Sequence, residues 1–557
     1  MRSTTLRLAS LLLLTPIARL ALAQVQPGAG DLLQQVHPPV VPSTAQPAPS
    51  IRLDAARAKD DLSAVKFELR HIRITGNTVV DESTLHALVQ DLEGRTVTLG
   101  EVSEAVARIT RYYQRQGYPF SRALIPAQSI RQGELTVQVL EARYGDVRLS
   151  GNKSPVASAL MREILAPLKP GAPVADASLD RALLLLSDLP EVSVGATASP
   201  GSEPGSTDLD VQAQELPTPH FDFGLDNFGS RYTGRARVSA AGSLFNPLHR
   251  GDTLGLALLT SGSGMRYARA SYDIVLGGSG THAGVAYSAM RYHLGEDASA
   301  LDAHGSAGVS SAWLRYPVLR GRRANVYVTA EFDHKRLRDD IGATGIDNQR
   351  HVDSGVLSLS GDLQSWPGDG ASGWTLALAT GHVGFDNSAA GAADQASART
   401  RGSFTKWNLD ASHQQRLTAD GALYLAVSVQ ATDANLDSAE KLSVGGPYSV
   451  RAYESGALSG DSGGTATVEW RQGLGALSGG RLQLRGFFDA AHLRINHRTW
   501  AAVDNGATIR GAGAGLSWSN ASLWTVDAVL ASRIGAAPAQ AGRTASTRGW
   551  IMVSRAI

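Results

Sequence analysis

Two side chains far apart in this sequence have the types needed for a strong ion pair. Val450-Arg451-Ala452-Tyr453 follows Gly445-Gly446-Pro447, and Asp489 follows Phe487-Phe488. A guanidinium facing a carboxylate forms two parallel charge-assisted hydrogen bonds, and away from water such a pair fixes a loop to a wall. Taken alone, a loop arginine is most often a solvated surface charge, and Asp489 could equally face another base or water. Other candidate chemistry fails on order or context. Gly460-Asp461-Ser462-Gly463-Gly464 spells a serine-protease nucleophile segment, but the histidine segment echoed by Ala490-Ala491-His492 follows the serine instead of preceding it. Gly511-Ala512-Gly513-Ala514-Gly515 lacks the strand-then-helix setting of a phosphate-binding loop. The 14 histidines form no His-Glu-x-x-His pair, and the absence of cysteine excludes disulfides, thiol catalysis and Cys-ligated metals. The expectation is a protein that is not an enzyme, with no catalytic residues, no metal site and no cofactor site.

The Arg451–Asp489 pair needs an enclosed place to meet. In Arg481–Leu493, Leu482, Leu484, Gly486 and Phe488 alternate with Arg481, Gln483, Arg485, Phe487 and Asp489, giving a strand with one apolar and one polar face. Leu423–Thr432 sets Leu423, Leu425, Val427 and Val429 against Tyr424, Ser428, Gln430 and Thr432. Thr465–Arg471 sets Ala466, Val468 and Trp470 against Thr467, Glu469 and Arg471. From His220 to Ile557 helical periodicity is absent, and sixteen alternating segments recur at about 21 residues each. Parity alone also admits a soluble sandwich. Loop lengths favour a membrane barrel. Long gaps at Gly295–His304, Ile341–Asn348, Asp386–Gly402, Asp433–Gly464 and Arg494–Gly506 follow odd segments, whereas connections after even ones are short, as at Ala419–Gly421. The loop 433–464 carries Arg451 and is long enough to fold back inside.

The N-terminal part reads differently. Arg2 and Arg7 precede the apolar run Leu8–Ile17, and Ala21-Leu22-Ala23 is a small-x-small cleavage site, so residues 1–23 are expected to be a secretory signal peptide. Basic and acidic residues nearly balance, 52 against 51, which argues against nucleic-acid binding. Beyond residue 23 no apolar run is long enough for a transmembrane helix. Residues 24–66 are proline-rich and read as an extended linker, with a short helix at Asp31–Val36. A β-α-α-β-β order then appears twice. The first copy is Phe67–Thr75, Asp81–Leu92, Leu99–Gln116, Ala123–Ile130 and Leu135–Leu140. The second is Asp146–Ser150, Ser154–Leu165, Ala177–Leu189, Val192–Ala198 and Leu209–Ala213, and the turns Gly76-Asn77 and Gly151-Asn152 line up.

This order of parts resembles the two-partner secretion transporters, outer-membrane barrels of the superfamily that includes the barrel-assembly insertase. Val450, Arg451, Ala452 and Tyr453 match the Val-Arg-Gly-Tyr/Phe motif of that family's sixth loop, with alanine where the family has glycine. A positive φ at Ala452 would be strained. Phe487-Phe488-Asp489 matches the partner motif on strand 13. Leu225-Asp226-Asn227, Gly229 and Thr233-Gly234 resemble the first hairpin, Asn246-Pro247 and Gly251-Asp252 the next turn, and Tyr316-Pro317 the sixth strand. The resemblance spans nearly all of the mature chain and rests on the order of the whole set.

The resemblance implies a transmembrane β-barrel of 16 antiparallel strands at 217–557, with an inward loop at 433–464. Two periplasmic α/β POTRA domains of β-α-α-β-β order, at 67–142 and 143–216, and a plug helix within the linker 24–66 would precede it. It implies the outer membrane of a Gram-negative bacterium, with Arg451 and Asp489 as a loop latch flanked by Val450 and Tyr453. The implied partners are an unfolded secreted exoprotein held by the POTRA domains, outer-membrane lipid, and the barrel-assembly machinery. A haemolysin, an adhesin, a contact-dependent toxin and a haem-scavenging protein all fit as cargo. The alternatives are an insertase of the same superfamily, which would usually carry more POTRA domains, a passive porin, and a soluble secreted binding protein.

Overall fold

The computed structural model describes residues 27–36, 50–53, 66–502, 504–542 and 544–557. The expected signal peptide 1–23 and most of the linker lie outside the described residues. Two linker segments lie within them, α1 (Ala29–Val36) and β1 (Ser50–Leu53).

The first N-terminal unit runs β2 (Lys66–Leu69), β3 (His71–Thr75), α2 (Glu82–His86), β4 (Arg95–Thr98), α3 (Leu99–Arg115), β5 (Arg122–Leu124) and β6 (Glu134–Leu140). Its longest element starts at a capping box, in which the Glu101 amide donates to Thr98 Oγ1 at 3.2 Å and the Thr98 amide to Glu101 Oε2 at 2.7 Å. The buried stripe Val102, Val106, Ile109 and Tyr113 then packs α3 on the sheet. The expected helix Asp81–Leu92 instead shortens to α2 and a 3₁₀ turn at Gln90–Leu92, because the tighter winding buries Leu85, Val89 and Leu92 together. The expected strand Ala123–Ile130 stops at Leu124, just before Pro126, which has no amide to donate. At the end of this unit Glu141 is buried. Burial alone would raise its carboxyl, but donors at Thr78, Val79 and Tyr113 outweigh that and hold it below the usual range.

The second unit runs β7 (Arg143–Lys153), α4 (Ser158–Leu165), α5 (Asp176–Ser187), β8 (Val192–Pro200) and β9 (Ser206–Glu215). α4 starts later than the expected Ser154, because Asn152 ties the preceding chain into a turn. Its side chain accepts from the Ser154 amide at 3.0 Å and donates to the Val156 carbonyl at 2.7 Å. The sheet order is β1-β8-β9-β7, so the linker segment β1 adds a parallel strand to the outer edge of β8.

The barrel includes sixteen antiparallel strands among the described residues, and it closes by pairing Phe221–Asp226 with Thr547–Ala556. Alternation sorts its side chains. Leu425, Val427, Val429, Val468 and Trp470 are exposed on the outer wall, while Gln430 and Glu469 are buried inside. The expected gap Ile341–Asn348 is a correction. The strands Ala324–Ile341 and Ile346–Gln364 stay paired through Ile341↔Ile346, and Arg338 reinforces the ladder by reaching Asp340 at 2.9 Å and Asp347 at 3.2 Å.

The second unit sits on the short turns. Arg320 bonds Asp188 at 2.7 Å, Arg322 bonds Asp180 at 2.7 Å, and Asn246 donates to the Pro190 carbonyl at 2.8 Å. Val275 of the barrel joins the hydrophobic core of that unit. The N-terminal units therefore lie at the short-turn end of the barrel.

Candidate functional site

The chain from 433 to 461, between the barrel strands Gly421–Thr432 and Ser462–Leu477, folds into the barrel. Its stem is a small hairpin of Leu442–Val444 with Leu458–Gly460. Above the stem, Gly445 and Gly446 take φ of +100° and +101°, where a side chain would be strained; a Cβ on Gly445 would also lie 2.4 Å from the Glu454 carbonyl oxygen. That bend delivers Val450, Arg451, Ala452 and Tyr453 to the wall, and all four are buried.

Arg451 meets two carboxylates there. Its Nε and Nη2 donate to Asp489 at 2.9 and 2.8 Å, and its backbone amide donates to the same carboxylate at 3.1 Å. Its Nη1 donates to Glu469 at 2.5 Å. The guanidinium lies 3.3 Å from the Phe487 ring centroid, and the Trp550 indole donates to the Arg451 carbonyl at 2.7 Å. Thr467 supplies a further hydrogen to Asp489 at 3.0 Å, and Arg471 balances Glu469 at 2.8 Å. All four carboxylate oxygens around the buried cation thus accept a hydrogen bond, the condition under which a desolvated ion pair holds.

Ala452 does not adopt a positive φ, so the strain expected of alanine in the place of glycine does not arise. The room for its methyl comes from the neighbouring strand of the same wall, where a Cβ on Gly511 would lie 2.5 Å from Ala452 Cβ. Gly513 likewise leaves space for the Phe487 ring. Gly511 and Gly513 stand opposite Asp489 and Phe487 in the ladder, so the glycine-rich run forms the floor under the loop tip.

The base of the loop is anchored separately. Glu440 is held between Lys335 at 2.6 Å and Lys406 at 2.8 Å. Arg350 donates to Asp437 at 2.5 Å and to Asp339 at 2.6 Å. Asp339 also accepts from the Ala29 amide at 2.6 Å, at the first turn of α1. α1 therefore lies inside the barrel. Leu32 and Leu33 are buried there with Leu436 and Ala439 of the loop, and a Cβ on Gly30 would lie 2.3 Å from Ser438 Oγ. Helix and loop base share one buried cluster inside the barrel.

Sequence reasoning singled out Arg451, Asp489, Val450 and Tyr453, and the structure brings all four to one place. It missed Glu469, although strand parity had already put that residue on the polar face with Thr467 and Arg471. It missed Glu440, Lys335, Lys406, Asp437, Arg350 and Asp339, which carry no motif. It also missed His71, His86 and Glu93 of the first unit, whose ligand atoms lie within 4.8 Å of one another. The shared Glu93 oxygen is already taken by the Ile72 amide at 2.7 Å and by both imidazoles at 3.0 Å.

A closed sixteen-stranded barrel with β-α-α-β-β units at its periplasmic mouth and a loop seated inside it defines an outer-membrane transporter of the POTRA-and-barrel class. The chain belongs to the haemolysin secretion/activation protein ShlB/FhaC/HecB family, whose model matches residues 205–518, and residues 67–142 match the ShlB-type POTRA domain. It is 25% identical over 530 residues to the heme/hemopexin transporter protein HuxB of Haemophilus influenzae strain 86-028NP, covering 92% of this chain and 93% of that one. It is 24% identical over 420 residues to the hemolysin transporter protein HpmB of Proteus mirabilis, covering 71% and 70%. CdiB from Escherichia coli shares the fold with a TM-score of 0.72 at 19% identity, covering 90% of this chain and 93% of that one. The protein is an outer-membrane translocator of two-partner secretion, and it moves an exoprotein across the outer membrane.

Proposed function

We propose that Arg451 is the latch of this translocator and that export requires the inward loop and α1 to leave the lumen together. One observation carries this reading: a single buried cation fixes the loop tip to two wall carboxylates, while the plug helix packs on the base of the same loop and is tied to it through the wall residues Asp339 and Arg350. The POTRA domains, 67–142 and 143–216, capture the unfolded cargo by adding it as a strand to a sheet edge. In the first unit, β5 is an edge strand beside an apolar groove of about 700 Å³ lined by Leu99, Val106, Ala123, Ile125, Ile130 and Leu135. In the second unit the edge of β8 is occupied by β1, so it becomes available when the linker moves.

The cargo is a haem- or hemopexin-directed exoprotein. In sequence, the relatives named for heme/hemopexin transport match 92% of this chain, whereas those named for hemolysin transport and CdiB match 35–75%, although the CdiB structure covers 90% of it in fold. Insertion of the barrel falls to the barrel-assembly machinery, and no step of the transport is enzymatic.

The test compares culture supernatants and outer membranes from wild type, a gene deletion and Arg451→Ala. Loss of one large secreted protein from both mutant supernatants is expected, with the Arg451→Ala barrel present at wild-type abundance. Normal secretion by Arg451→Ala at equal barrel abundance sinks the latch. A general loss of outer-membrane barrels in the deletion points to the insertase reading instead.

A further inference from the structure

The outer wall of a membrane barrel is expected to be apolar wherever it meets lipid. Arg266 and Arg291 break that rule at one place. Met265 and Tyr267, and Met290 and Tyr292, are buried in the lumenal cluster, so the arginines between them project outward, and both are exposed. The two stand directly opposite each other in the ladder, where like charges repel. Among the described residues neither has an acidic partner. The nearby outward acids are engaged elsewhere, Asp340 and Asp347 by Arg338, Asp353 by His334 at 2.6 Å and Asp386 by His351 at 2.7 Å. Arg336, two residues from Arg338 on the same face, donates to His334 at 3.0 Å and has no acidic partner among the described residues.

These cations sit at a defined height. Arg266 is the second residue of the strand Met265–Leu276, and Arg291 lies two residues before the end of Thr281–His293, both at the end of the barrel away from the periplasmic unit. One step further into the membrane the same face is built of small residues, Ala268, Ala289 and Gly308, paired across successive strands. They open a groove of about 1190 Å³, with Leu258 and Tyr287 along its apolar side and the arginines at its head.

We propose that this patch binds the phosphates of a lipid A-type glycolipid of the outer leaflet, with an acyl chain lying in the groove. Guanidinium forks match phosphate oxygens two at a time, and the mutual repulsion of Arg266 and Arg291 is relieved by one shared anion. The apolar groove continuous with the cations selects a lipid over free phosphate. The site is separate from the lumenal latch and from the POTRA edges.

The test uses the full chain in detergent, with heat-modifiable gel migration as the check of a folded barrel. Native mass spectrometry reads binding of bisphosphorylated hexa-acyl lipid A, the same lipid dephosphorylated, phosphatidylglycerol and inorganic phosphate. The expected result is one bound lipid A, at least tenfold weaker retention of the dephosphorylated form, and no displacement by equimolar phosphatidylglycerol or phosphate. Arg266→Gln combined with Arg291→Gln should lose at least tenfold in lipid A binding while export continues. Equal retention of dephosphorylated lipid A, displacement by either competitor, or undiminished binding by the folded double variant overturns the proposal. Should the double variant not fold, Arg336→Gln and the wild-type lipid comparison decide: a several-fold loss supports the site and unchanged binding rejects it.

Discussion

The tip and the base of the inward loop are fixed to different strands of the barrel with inverted charge arrangements. At the tip one arginine lies between two carboxylates, Asp489 and Glu469; at the base one carboxylate, Glu440, lies between two lysines, Lys335 and Lys406. The difference is one of geometry more than of strength. A guanidinium is a rigid planar fork that meets Asp489 through two parallel bonds in one orientation, whereas an ammonium is a point charge that follows its partner through a range of positions. The tip is therefore a seat that is either occupied or empty, and the base is a joint that tolerates movement. The base also passes that movement on, because Arg350 links Asp437 of the loop to Asp339, and Asp339 holds the first turn of the plug helix.

The largest effect is expected where the tip loses its bidentate partner. Asp489→Ala leaves Arg451 buried with Glu469 alone, and breaking one side of a buried pair costs about 3–5 kcal/mol. Export should cease, and conductance in planar bilayers should show the lumen opening far more often than in wild type. Glu469→Gln keeps the bidentate pair and should retain measurable export. If the two variants behave alike, the fork geometry is not what distinguishes the tip.

A smaller effect is expected at the base. Glu440→Gln leaves two lysines facing a neutral amide, with Asp333 still 3.8 Å from Lys335. The loop should loosen without leaving its seat, so export should fall several-fold and remain detectable, while brief openings become more frequent. Complete loss of export with the tip still protected from protease would show the base to be as rigid as the tip and would remove the contrast.

The tip was legible in the sequence and the base was not, for a physical reason. Arg451 and Asp489 each sit in a short local pattern, and strand parity alone turns Asp489 inward. Glu440 has no such pattern, and its partners Lys335 and Lys406 are 105 and 34 residues away on strands that share with it only a polar face. Alternation likewise reveals the strands of the barrel but misplaces the turn near 341–348. The polar run around Asp339, Asp340 and Asp347 reads as a loop because its charges are satisfied across the ladder and by the plug helix, which are long-range partners. The strand β1 was hidden for the same kind of reason. Four residues of a proline-rich linker become a strand only because β8 offers them an edge.

The smallest effect tests whether the tip is a shape as well as an ion pair. Gly511 faces Ala452, and a Cβ there would lie 2.5 Å from the alanine methyl, closer than two carbons can approach. Gly511→Ala should therefore push the tip off its floor without touching a charge, at about 1–3 kcal/mol as for other overpacked sites. Export should drop and lumenal openings should increase, less than with Asp489→Ala. The decisive variant adds Ala452→Gly, which removes the opposing methyl and restores the usual family residue at the motif. The two changes should be non-additive, with the pair recovering most of the export that Gly511→Ala loses. A double variant as impaired as the single one would place the damage in the barrel strand itself, and the seat would then be defined by Arg451 and its two carboxylates alone.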